Sequence, residues 1–105
     1  MADRHLDTSA LDNCRITFVG AGATVSNYVT RAIFELNGDI TPAMPHLSRV
    51  IDDCGYNPGA KTLAFRLWDM PAVVRADTIT INNMSDLETA HKFLVWLKDK
   101  MESPD

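Results

Sequence analysis

The run Val19-Gly20-Ala21-Gly22-Ala23-Thr24-Val25-Ser26 is the one stretch whose backbone could do chemistry. Two glycines between an apolar strand and an amphipathic helix let successive backbone N–H groups turn toward an anion, and the helix dipole adds to the attraction. Gly20, Gly22, Ala23, Thr24 and Ser26 are therefore the candidate ligand-binding residues, for a phosphate or another small anion. The pattern stops short of a dinucleotide site. That fingerprint needs a third glycine where this chain has Val25, and an acidic residue about 20 positions on, at the end of a second parallel strand. Asp39 is near in spacing but precedes a helical pattern, and no Gly-Lys-Ser/Thr occurs to make a P-loop.

Other reactive residue types are scattered. Cys14 and Cys54 lie far apart with no CxxC or Cys/His spacing, which reads as two free thiols in a reducing compartment, although a disulfide between them depends on geometry the sequence does not give. Cys14 has Arg15 beside it, whereas Cys54 falls on an apolar stripe that would raise its pKa. His5, His46 and His91 include no i, i+4 pair for a helical metal site, and Ser26 lies in no G-x-S-x-G motif. The sequence thus nominates no catalytic residue, no metal ligand and no cofactor.

Three aromatics are out of place for a simple amphipathic pattern. Phe34 and Trp96 project from the polar sides of two expected helices, and Trp68 from the second face of an expected strand. Either further elements cover them or they meet a partner, and tryptophan is enriched where partners bind tightly. Phe34, Trp68 and Trp96 are therefore the candidate interface residues.

These residues need elements to position them. Arg15 to Val19 reads as a strand ended by Gly20, and Val25, Val29, Ala32, Ile33 and Leu36 as one stripe of a helix over residues 24–37, stopped by Gly38. Thr41-Pro42 opens a second helix, with Leu47, Val50, Ile51 and Cys54 on one side and Gly55 after it. Residues 61–68 alternate as a strand, and Asp69-Met70-Pro71 connects it to the run 72–82. That run changes phase between Val74/Ala76 and Ile79/Ile81, which calls for a bulge or a break near residues 75–77. Arg66, Arg75 and Asp77 either pair across this hairpin or line a pocket with Trp68. Ser85-Asp86-Leu87-Glu88 is a capping box for a final helix over residues 86–101, with Leu87, Ala90, Leu94, Leu97 and Met101 inward.

The expected architecture is an α+β two-layer sandwich in the order β-α-α-β-β-α. Its mixed or antiparallel sheet has three strands, or four if the last run breaks, with helices mainly on one face. Residues 1–12 read as a flexible N-terminal arm, 13–101 as a single globular domain and 102–105 as a disordered tail. With 105 residues, 46% of them hydrophobic and 23% charged, the chain has enough apolar material for one core. The net charge of −4, with its basic residues dispersed, argues against nucleic acid as a partner. No window is apolar enough to span a membrane, and the start of the sequence lacks the apolar core of a signal peptide. The functional expectation is a non-enzymatic interaction or regulatory module, homodimeric and cytoplasmic. Its alternative is a small anion- or nucleotide-binding domain, or an enzyme, built on residues 20–26.

Overall fold

A computed structural model describes residues 8–21 and 29–104 of the chain. Six strands make one antiparallel sheet: β1 (Arg15–Ala21), β2 (Val29–Glu35), β3 (Gly55–Asn57), β4 (Thr62–Leu67), β5 (Met70–Val74) and β6 (Thr78–Asn82), in the order β1-β2-β6-β5-β4-β3. Two α-helices complete the fold, α1 (Met44–Val50) and α2 (Leu87–Glu102), with short 3₁₀ turns at Ser9–Leu11 and Thr41–Ala43. The class is α+β, but a three- or four-stranded sheet in the order β-α-α-β-β-α is wrong.

The largest correction is the first expected helix. Residues Val29–Glu35 are a strand, paired with β1 from Arg15↔Glu35 to Ala21↔Val29 and with β6 from Arg31↔Asn82 to Glu35↔Thr78. Their sequence satisfies two periods at once. Val29, Ala32, Ile33 and Leu36 make a helical stripe, while Ala32 and Phe34 alternate with Arg31, Ile33 and Glu35 as strand faces do. Pairing on both sides decides for the strand, because it buries Phe34 and Ala32 completely. The second helix is also shorter than its stripe. α1 ends at Val50, Ile51 is already extended, and the chain turns at Asp53 (φ 55°) into the edge strand β3.

The phase change in residues 72–82 is a break. β5 and β6 are separate strands of a hairpin, closed by Arg75 N–H donating to the Thr78 carbonyl at 2.8 Å. Each then keeps its own alternation, with Ala72 and Val74, Ile79 and Ile81 facing the core. Leu63 and Phe65 of β4 continue that face, and α2 packs across it with Ala90, Phe93, Leu97 and Met101. The helix is capped by Asp86 rather than Ser85. The Asp86 carboxylate accepts from the Thr89 hydroxyl at 2.6 Å and the Thr89 N–H at 3.2 Å, which holds it below the ordinary carboxylate range. α1 leans on the far end of α2, where His46 Nε2 donates to the Lys100 carbonyl at 3.2 Å.

No described element covers the other face of the sheet. A register row of Thr17, Ile33, Thr80, Val73 and Ala64 crosses it, flanked by Arg15, Arg31, Glu35 and Arg66. Among the described residues no helix is long and apolar enough to cross a membrane.

Because Phe34 is a core residue of a central strand, Phe34→Ala should cost about 3–5 kcal/mol of unfolding free energy. Urea denaturation checks this. A change within about 0.5 kcal/mol, as for a surface residue, would contradict the strand assignment.

Candidate functional site

Strands β4 and β5 are joined by two residues, Trp68 and Asp69, between the paired Leu67 and Met70. Both turn residues have positive φ, 51° and 62°, the backbone of a type I′ hairpin that normally selects Asn, Asp or Gly. Six non-glycine residues adopt positive φ among the described residues, and four are Asn or Asp. Trp68 is the bulky exception. A left-handed L-residue with a large side chain costs roughly 1–2 kcal/mol, and the indole is not buried in the core, Trp68 being 51% exposed.

Helix α2 supplies the facing wall. Phe93 and Leu97 point to the sheet, so the opposite side of the helix carries Glu88, Lys92, Val95 and Asp99 at i, i+4, i+7 and i+11. Val95 is 69% exposed and Leu87 51%. Trp96 lies at the border of the two sides. Its ring packs on Phe65 at 5.5 Å and on Phe93 at 6.1 Å between centroids, and Lys100 Nζ stands 5.8 Å over it. Trp68, Leu87, His91, Val95 and Trp96 enclose an open groove of about 790 Å³, edged by Glu88, Lys92 and Asp99. A second, polar depression adjoins it on the other side of Trp68, between Asp52, Asp53, Arg66 and Asp69. The Arg66 side of the hairpin therefore borders Trp68, and among the described residues no ion pair holds Arg66.

The structure thus brings together two of the three interface candidates, Trp68 and Trp96. It removes the third. Phe34 is wholly buried, its ring 5.3 Å from Phe93, because residue 34 lies on a strand facing the core and not on the outer side of a helix. Leu87 and Val95 were missed. Leu87 counted as core by spacing, but it sits in the first helical turn, roughly 80° around the helix from Leu97. Val95 lies opposite the core stripe, and that signal was readable from the sequence.

Of the anion-binding candidates, Gly20 is an exposed residue of β1 opposite Thr30. Gly22, Ala23, Thr24 and Ser26 lie outside the described residues. The dipole argument for that site fails, because Val29–Glu35 is a strand where the supporting helix was expected.

For nucleophilic chemistry, both cysteines are free and half-buried, and burial pushes the Cys14 and Cys54 thiols up, away from thiolate character at neutral pH. Among the described residues no three His, Cys, Asp or Glu side chains gather as metal ligands would. What the groove can do is bury apolar surface: two indoles held from different elements, with aliphatic side chains between them and charges of both signs at the edge. No family model, no curated protein and no solved structure matches the chain.

The strain at Trp68 has a measurable consequence. Trp68→Asn, which tolerates left-handed backbone, should raise unfolding free energy by about 1 kcal/mol. Thermal and urea unfolding check it. A loss of more than about 1 kcal/mol would mean that the indole serves the fold of the monomer.

Proposed function

We propose that the protein is a small non-enzymatic interaction or regulatory module that works as a homodimer, with the groove between Trp68 and Trp96 as its contact surface. The observation that carries this reading is Trp68. Its indole is held half-exposed on a backbone conformation that costs stability, beside the exposed Leu87 and Val95. Side chains that weaken a fold while lining an apolar groove are explained when their burial occurs on association. Aromatic residues gathered at the centre of a patch with charges at its edge are also the usual composition of a binding hot spot.

Support for a non-enzymatic role comes from the thiols, which burial moves away from the nucleophilic range. Their free state favours the cytoplasm as the compartment of this activity. A second copy suits the groove because its edge carries Lys92 as well as Glu88 and Asp99, so that two copies can meet with opposite charges in contact.

The test uses Val95, whose exposure makes substitution harmless to the monomer. Wild-type protein should sediment as a dimer at micromolar concentrations. Val95→Glu should weaken the dimer at least about tenfold, or 1.4 kcal/mol, with unchanged unfolding of the monomer. A wild type that stays monomeric, or a Val95→Glu protein that dimerises as well as wild type, would overturn the proposal.

A further inference from the structure

Resting on the homodimer reading, we infer that two copies pair through α2 in antiparallel fashion, about a twofold axis between Val95 and Trp96, with Lys92 of each copy against Asp99 of the other. Charge and exposed apolar surface together favour one face for meeting its own copy. An isologous interface sets one patch against itself, so a face of one sign repels. The open sheet face carries Arg15, Arg31 and Glu35 at one end and Arg66 beside Asp52, Asp53 and Asp69 at the other, and among the described residues it presents no aromatic side chain for a partner to bury. The outer side of α2 carries both signs, with an aliphatic residue between them.

Charge then selects the register. If the helices crossed at the middle of the exposed stripe, Glu88 of each copy would lie level with Asp99 of the other, and two acidic pairs would form. Moving the axis to the Val95/Trp96 step removes this clash. Lys92 lies three residues before Val95 and Asp99 three residues after Trp96, so each Lys92 comes level with Asp99 of the second copy. Glu88 then falls beside Ser103, beyond the last turn of the facing helix. Val95 packs against Trp96 of the second copy at the centre. The two helices share about 20 Å of length, and each N-terminus lies beside a C-terminus, which suits their dipoles.

The charges are free to make these contacts. Among the described residues Lys92 has a single long contact within its own chain, 3.8 Å to Glu88, with both side chains largely in solvent. Lys100, the other cation near Asp99, lies over Trp96. The pairing uses the outer side of α2 and the adjoining Trp68, and leaves the Phe93 side, and hence the fold, unchanged.

The experiment is sedimentation equilibrium at low salt on Lys92→Glu, Asp99→Lys and their mixture. Each single variant should raise the dimer dissociation constant at least about tenfold, because both copies then present like charges at the two contact points. An equimolar mixture of the two variants should regain dimers within about threefold of wild-type affinity. In the mixed pair the introduced glutamate of one copy faces the introduced lysine of the other, while the native Lys92 and Asp99 still meet at the second contact point. Recovery on mixing shows the contact to be between chains, which no effect within one helix could produce. A wild-type dimer broken by Val95→Glu but indifferent to both charge reversals would overturn this register and leave the groove as the dimer surface. A dimer indifferent to all three variants would overturn the α2 pairing outright. A monomeric wild type would overturn this inference together with the reading beneath it.

Discussion

Phe93 touches three other rings, and the arrangement of the molecule follows from that contact. Its centroid lies 5.3 Å from Phe34 on β2, 6.4 Å from Phe65 on β4 and 6.1 Å from Trp96 on its own helix. Aromatic pairs of this kind contribute about 0.5–1.5 kcal/mol each beyond the area they bury. The cluster joins strands that are not neighbours in the sheet to the one long helix, so it fixes both the position of α2 and its rotation about its axis. Turning the helix by one residue would take Phe93 out of the core and put Leu94 or Lys92 in its place.

That rotation also determines what the surface offers. With Phe93 and Leu97 inward, Glu88, Lys92, Val95 and Asp99 must point out, and Trp96 is left on the border with one side of its ring against Phe65. The β4–β5 hairpin then brings Trp68 to the same place from the sheet. The tight two-residue turn determines where Trp68 stands, at the cost of a left-handed backbone. The groove is thus formed by a helix and a hairpin that are each rigidly attached to the core. Preorganised side chains lose little freedom on binding, so more of their burial energy remains for association. The uncovered sheet face differs in kind. Among the described residues it has β-branched side chains and arginines but no aromatic.

How much of this could be read from the sequence depended on whether a local pattern had one solution. The final helix was legible because its apolar spacing and its capping signals agree, and only the cap moved by one residue, to Asp86. β4 was legible because Leu63, Phe65 and Leu67 alternate without a competing helical stripe. β2 was not, since Ala32 and Ile33 serve a 3.6 period and Ala32 and Phe34 serve a period of two. Only pairing on both sides, with the preceding strand β1 and with β6 far along the chain, decides between them. The error then passed to the site. Assigned to a helix, Phe34 looked exposed, whereas on the strand it is the residue that anchors Phe93. Trp68 and Trp96 stand out as misfits in their own segments, and in the fold Trp68 is exposed and Trp96 half-buried at the border of the core. Their meeting in one groove is a tertiary fact that neither segment contains.

The proposed dimer stands or falls on whether this groove is buried when the protein associates with itself. The chain has two tryptophans, and both line the groove, so the whole of its indole emission reports on that surface. The most direct measurement is the emission maximum over a dilution series, with far-ultraviolet circular dichroism recorded on the same samples. Burial on association predicts a blue-shifted maximum at high concentration that moves to the red on dilution, while the secondary structure stays constant. An emission maximum typical of half-exposed indoles, unchanged over the whole series, would contradict it.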